Sequence, residues 1–285
     1  MTTTIAVIGG SGLYDLSTLE NVTHHEVSTP FGLPSDPIIE GTLGGRRMLF
    51  LARHGRGHRF LPCEVNYRAN IFALKILGAD QVVSVSAVGS MREEIVPGDL
   101  AVVSQFIDRT KGRPSTFFGE GIAGHVEFAD PVCPDLAEAL FQAASTQDVM
   151  VHRDKTLMVM EGPAFSTRAE SHMHRQLGVD LIGMTAMPEA KLAREAELCY
   201  ATLALATDYD CWHETHEDVT VDAVVKVIAQ NAANARKVIS ALAERAPSER
   251  ACRCKSALEY AIITDRKVIP ENTREKMKPI FGRVL

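Results

Sequence analysis

Ile5-Ala6-Val7-Ile8, running directly into Gly9-Gly10-Ser11-Gly12, decides how the rest of the chain is read. A short apolar run rich in β-branched residues, ending in glycines, is a strand feeding a turn. The same pattern recurs downstream. Strands are expected at residues 47–52, 81–86, 156–161, 181–183 and 199–206, and helices at 65–77, 136–144, 188–197 and 221–243. The last helix carries Val224, Val225, Ile228, Ala232, Ala235, Val238, Ile239 and Leu242 at the spacing of one buried face. Strand followed by helix, repeated, predicts an α/β domain with much of its sheet buried. Residues 246–253 are charged, with Pro and Ser, and read as a link to a C-terminal extension. There Leu258, Ala261, Ile262, Val268, Ile269 and Phe281 offer apolar positions for docking on the body.

Composition narrows the classes. A chain of 285 residues, 46% hydrophobic and 23% charged, can bury a sizeable core as one domain or two small ones. A formal charge of −6 argues against a nucleic-acid scaffold, although a local anion pocket stays open. No apolar run approaches the ~20 residues of a membrane span. Met1-Thr2-Thr3-Thr4 supplies neither a basic leader nor a cleavable apolar stretch, so a cytoplasmic protein is expected. The six cysteines are Cys63, Cys133, Cys199, Cys211, Cys252 and Cys254. Four fall in apparent core or strand, which argues against a secreted disulfide framework. Cys252-Arg253-Cys254 reads as two unrelated thiols in an exposed tail, or else as a disulfide, local or to the core.

Small and polar residues gather after the predicted strands, where ligands bind in open α/β sheets. Four segments carry anion chemistry: Gly9-Gly10-Ser11-Gly12, Arg53-His54-Gly55, Ser86-Ala87-Val88-Gly89-Ser90 and Met184-Thr185. Glycine admits backbone N–H groups, hydroxyls donate, and arginine supplies a planar charged fork. Each segment is weak alone. Gly10-Ser11-Gly12 could begin a dinucleotide fingerprint, but position 15 is Asp15. Arg53-His54 also fits a surface ion-pair element. His213-Glu214-Thr215-His216 lacks the spacing of a zinc protease, and His54, His58, His172 and His174 read as solvated or core histidines. Asp208-Tyr209-Asp210-Cys211-Trp212 follows a very apolar strand and contains the only tryptophan. Its carboxylates fit helix caps, or acids that protonate the ring nitrogen of a departing heterocycle.

Taken together, six segments resemble a known family. They are Ile8-Gly-Gly-Ser-Gly-Leu13, Leu51-Ala-Arg-His-Gly-Arg56, Val65-Asn-Tyr-Arg-Ala-Asn70, Glu161-Gly-Pro-Ala-Phe-Ser166, Gly183-Met-Thr-Ala-Met-Pro-Glu189 and Ala206-Thr-Asp-Tyr-Asp-Cys-Trp212. In that order, across about residues 5–243, they resemble the S-methyl-5'-thioadenosine phosphorylase branch of the trimeric purine nucleoside phosphorylases. The resemblance implies an α/β fold: a single domain with a large twisted mixed β-sheet flanked by helices. Residues 1–246 would form it and 247–285 the extension packing on it. It implies a homotrimer, or a dimer of trimers, with sites at subunit interfaces, acting on a small-molecule nucleoside and phosphate. Neither a metal nor an organic cofactor is implied, inorganic phosphate being the co-substrate. Nucleic acid and membrane are not expected partners.

Residue by residue, the resemblance implies that Ser11, Arg53, His54, Ser86, Ala87 and Thr185 hold phosphate and Met184 contacts the ribose hydroxyls. Phe165 and Ser166 would line the base, with Asp208 and Asp210 reading N7 and the exocyclic amine of adenine as the catalytic carboxyls. Val221 and Val225 would line the 5' pocket, closed by His125 of a neighbouring subunit. Asp208 stands where relatives acting on 6-oxopurines carry Asn, and Val221 where relatives accepting a free 5'-hydroxyl tend to carry His. Both choices favour the methylthio nucleoside over the alternative, a broader phosphorylase of adenosine or 6-oxopurine nucleosides. The sequence departs from the better-known pattern at Ser11 and Ser86 (usually Thr), at Val88 (usually Cys) and in the tail after residue 252.

Overall fold

The computed structural model describes residues 3–10, 13, 18–213 and 221–285, the last span without the side chains of 221–226 and 228. Its strands are β1 (Ile5–Gly9), β2 (Glu20–His25), β3 (Ile38–Leu43), β4 (Arg46–Ala52), β5 (Gln81–Ser90), β6 (Leu100–Arg109), β7 (Val151–Met160), β8 (Leu181–Gly183) and β9 (Cys199–Asp208). Among the described residues they form one mixed sheet in the order β2-β3-β4-β1-β5-β8-β7-β6-β9, and β9 returns to pair with β5. The five strands from β5 to β9 therefore close on themselves, while β1 to β4 extend from them as an open wing. The helices are α1 (Tyr67–Ile76), α2 (Pro134–Ser145), α3 (Arg168–Gln176), α4 (Ala186–Glu195), α5 (Val221–Arg245) and α6 (Glu271–Phe281). The α/β fold is the one the strand and helix pattern predicts, and the large mixed sheet flanked by helices is the one the family resemblance implies.

Strand β1 shows why its apolar run does not alternate. Ile5 and Val7 face a core built with Leu136 and Leu140 of α2 and Val238 and Leu242 of α5. Ala6 and Ile8 face the opposite core, shared with Ile71 of α1, Leu192 of α4 and Ile280 of α6. A strand covered on both faces needs apolar residues at every position. Each large side chain so buried contributes roughly 1.5–3 kcal/mol relative to exposure.

Several boundaries differ from the sequence reading. Helix α1 begins at Tyr67 because the Asn66 side chain caps it, accepting from the Ala69 N–H at 3.1 Å. Strand β5 continues through Ala87-Val88-Gly89 to Ser90, a segment expected to follow the strand rather than belong to it. Strand β7 starts at Val151, five residues early, through a polar stretch paired with β6. The sequence reading omitted β2, β3, β6 and α6. β2 is polar and exposed, and β6 is only half buried, so neither shows a strong apolar period.

In the tail, Leu258, Ala261, Ile262, Ile269 and Phe281 are buried, whereas Val268 is 68% exposed and does not dock. The Phe281 ring stacks on Phe118 with centroids 4.9 Å apart, and Arg283 pairs with Glu197. The His125 N–H donates to the Ala261 carbonyl at 2.8 Å. The expectation of two unrelated thiols in an exposed tail is corrected: Cys254 is buried and Cys252 half-buried against the body. Among the described residues no helix is long and apolar enough to cross a membrane.

Candidate active site

Strands β1, β4, β5 and β9 run parallel, so the polar ends of β1, β4 and β9 meet beside the upper half of β5. There a cavity of about 340 Å³ opens. Its walls include Arg53, His54, Ser86, Ala87, Phe165, Met184, Thr185, Asp208 and Asp210. Nine residues singled out from separate segments thus share one space. Strand β8 runs antiparallel to β5, with Ile182 opposite Gly89, and its continuation brings Thr185 down beside Ser86. Their hydroxyl oxygens lie 3.1 Å apart. Ala87 is exposed in an otherwise covered part of β5, and it too faces the cavity.

Arg53 forms the floor. It is 2% exposed and meets Glu189 through a two-point fork, Nε to Oε2 at 2.9 Å and Nη2 to Oε1 at 3.2 Å. Nη2 also reaches Ser84 Oγ at 2.7 Å and the Ile8 carbonyl at 3.2 Å, and Nη1 donates to the Val85 carbonyl at 3.1 Å. Among the described residues Nη1 makes this one hydrogen bond, so its second N–H is available to a ligand. Burial by itself would depress the guanidinium pKa, but the Glu189 carboxylate more than offsets it, so the group stays charged.

His54 behaves differently. Burial, then the Arg53 charge, pushes its pKa down to about 4, so the ring is neutral near pH 7. Its Nδ1 lies 2.9 Å from the Phe60 carbonyl and must be the protonated nitrogen there, leaving Nε2 as an acceptor. The ring stacks on His58, another cavity residue, with centroids 4.3 Å apart.

The opposite wall carries the carboxyls. A register shift between β5 and β9 sets Asp208, rather than Thr207, beside Gly89. Gly89 is squeezed there: a Cβ would stand 3.0 Å from Asp208 Oδ1 and 3.0 Å from Ile182 Cγ2. Asp208 accepts from the Asp210 N–H at 2.8 Å and from Thr207 Oγ1 at 2.6 Å. Burial nevertheless raises its pKa, and the neighbouring Asp210 adds to that. Asp210 is likewise raised by burial, against lowering contacts from Ser171 and Ser166. Its Oδ2 is buried without a hydrogen-bond partner among the described residues. A buried acceptor of that kind is costly unless a ligand donates to it.

Ser166 does not line the cavity but sits behind Asp210 and accepts the Cys211 thiol through its carbonyl at 3.3 Å. His125 is exposed and outside this chain's cavity. Ser11, and the side chains of Val221 and Val225, lie outside the described residues.

Sequence reasoning gave no role to Glu189, His58 or Arg113. Arg113 is buried, and its Nη1 donates to the carbonyls of Met184 at 2.7 Å and Met187 at 2.9 Å. It also holds Glu161 through Nε at 3.0 Å and thereby fixes two segments that border the cavity. The available signal was a charged residue within a mostly apolar segment, as at Glu189 among Ala186, Met187, Ala190 and Leu192.

Residues 4–244 match the family described as the phosphorylase superfamily. The S-methyl-5'-thioadenosine phosphorylase of Geobacter sulfurreducens is 58% identical over 279 residues, covering 98% of each chain. That of Koribacter versatilis is 53% identical, covering 98% of this chain and 96% of the relative. Among solved structures, a methylthioadenosine phosphorylase from an antarctic soil metagenomic library superposes with a TM-score of 0.93 at 47% identity, covering 98% of this chain and 99% of the other. A variant adenosine/methylthioadenosine phosphorylase of Schistosoma mansoni in complex with adenine gives a TM-score of 0.86 at 35% identity, covering 92% and 99%.

Proposed function

This chain belongs to the phosphorylase superfamily, and on that premise we propose that it splits S-methyl-5'-thioadenosine with inorganic phosphate into adenine and 5-methylthioribose 1-phosphate. The observation that carries the reading is the shared cavity: hydroxyl and guanidinium donors on one wall, two carboxyls of raised pKa on the other.

In this reading Ser11, Arg53, Ser86, Ala87 and Thr185 hold phosphate against one face of the ribose, and Nε2 of neutral His54 accepts from its proton-bearing oxygen. Met184 contacts the sugar, Phe165 lines the base, and Ser166 supports Asp210 from behind rather than touching the base. A phosphate oxygen forms a bond to C1' as the C1'–N9 bond breaks, through an oxocarbenium-like state with inversion. The held oxyanion stabilises the developing cation. Asp208, whose pKa burial raises, delivers its proton to N7, so adenine departs neutral. Asp210 Oδ2 accepts from the exocyclic amine, which supplies the donor that its buried position lacks. Val221, Val225 and a neighbouring subunit's His125 enclose the methylthio group, in a cytoplasmic homotrimer or a pair of trimers. The reaction needs no metal or organic cofactor. Residues 1–246 act as the catalytic domain, and residues 247–285 as an extension that braces it.

A broader reading, adenosine as a second substrate, is favoured by the likeness to the adenosine/methylthioadenosine phosphorylase of Schistosoma mansoni. Free adenine is to be measured after incubation with methylthioadenosine, adenosine or inosine, each with and without phosphate. Adenine release from the methylthio nucleoside only when phosphate is present supports the proposal. Release without phosphate, or faster turnover of inosine, overturns it.

A further inference from the structure

Cys133, Cys199, Cys252 and Cys254 converge from four positions in the chain, and their sulfur atoms all lie within 4.8 Å of one another. Among the described residues no other group of His, Cys, Asp or Glu side chains forms such a cluster. We propose that these four sulfurs are a structural zinc site that fastens the C-terminal extension to the body.

The geometry suits a tetrahedral cage. Zinc binds thiolate sulfur at roughly 2.3 Å, which sets the edges of an S₄ tetrahedron at about 3.8 Å. The cluster brackets that value, with Cys199 Sγ and Cys252 Sγ 3.3 Å apart. Two disulfides would require only pairwise proximity. Here each sulfur is near all three others, and every one of these cysteines is a free thiol. All-sulfur tetrahedral sets select zinc or iron–sulfur centres, and four converging thiols with no room between them for sulfide suit a single ion.

The scaffold is rigid. Cys133 is the N-cap of α2, and its N–H donates to the Tyr200 carbonyl at 2.8 Å, next to Cys199 at the start of β9. The Cys199 N–H donates to the Asp80 carbonyl at 3.0 Å. Cys133, Cys199 and Cys254 are buried in the apolar core around Leu136, while half-buried Cys252 provides the way in. Binding displaces four thiol protons and leaves a net charge of −2. The positive end of the α2 dipole at Cys133 offsets part of it, and the Arg194 guanidinium acts on Cys254. The Cys-x-Cys spacing lies outside the usual zinc-ligand patterns, and the other two ligands are more than fifty residues away in sequence. None of the four lines the catalytic cavity, so the ion takes no part in the reaction.

The test is the metal content of tag-free, full-length protein by mass spectrometry, with thiols counted before and after chelation. About one zinc per chain is expected, with four thiols that react only once the metal is removed. The double variant Cys252→Ser/Cys254→Ser should retain less than about a tenth of that zinc. Cobalt(II) added to chelated but otherwise unaltered protein should give the intense visible bands of a tetrahedral thiolate site, a readout that does not depend on the variant folding. Metal-free protein with an intact mass lowered by disulfide formation would overturn the proposal. So would metal-free protein with all its thiols reactive, zinc retained by the double variant, or cobalt without those bands.

Discussion

Arg53 and Glu189 form a buried two-point ion pair beneath the cavity, at 2.9 and 3.2 Å, with the Tyr200 hydroxyl donating to the same carboxylate at 3.0 Å. Removing one partner of a buried pair strands the other charge. Glu189→Ala is therefore expected to lower stability by about 3–5 kcal/mol in urea unfolding. Phosphate should restore part of the loss, because an anion in the cavity would partly neutralise Arg53. A variant as stable as the parent would show that the pair does not hold the floor.

The Ser86 and Thr185 hydroxyls face the same space. Losing one hydrogen bond to a bound anion costs about 1–3 kcal/mol, so Ser86→Ala should raise the phosphate KM about five- to a hundred-fold. The KM for methylthioadenosine should change far less. Equal weakening toward both substrates would remove Ser86 from the anion subsite.

Asp208→Asn preserves shape and removes the transferable proton. Turnover of methylthioadenosine should fall about 10²- to 10⁴-fold, read by steady-state kinetics. The penalty should shrink for nucleosides whose base is a good leaving group without protonation. A uniform loss across leaving groups would point to a structural defect.

Gly89→Ala tests the squeeze between β8 and β9. The new methyl meets Asp208 Oδ1 and Ile182 at 3.0 Å, so the carboxyl must move. A misplacement of even this kind should lower kcat by about ten- to a hundred-fold, with a small change in thermal midpoint. Unaltered kcat would mean that the position of Asp208 is not critical.

Glu195 offers a pH prediction. Burial pushes its carboxyl up to about 7, against hydrogen bonds from Phe117 and Thr116. A carboxyl whose pKa is higher folded than unfolded binds more protons in the native state between those values. Its contribution is thus favourable at low pH and is lost as pH rises from about 4.5 to about 7. Glu195→Gln should flatten that part of the stability curve in urea titrations. A parent curve that does not steepen relative to the variant in this window would contradict the assignment.

How much of this was legible beforehand depends on the kind of signal. β8 was read to the residue, because Leu181-Ile182-Gly183 is an apolar run bounded by turn residues. The cavity residues were named from motif resemblance, and nine of them meet, yet the sequence placed Ala87–Ser90 after a strand that in fact contains them. Glycine and serine read as the end of a strand because local preference is blind to the β9 and β8 partners that keep the backbone extended.

The amino-acid order by itself determined the α/β grammar, the double-sided burial of β1 and the set of residues able to bind an anion or give up a proton. Those properties are local, since they follow from side-chain chemistry and from periods of two and 3.6 residues. Only the tertiary structure decided that Arg53 would be committed to Glu189, that Asp208 would be raised by burial beside Gly89, and that four cysteines would converge behind the tail. Pairing, desolvation and ligand geometry depend on which distant segments the closed sheet brings within a few ångströms, and no local pattern encodes that.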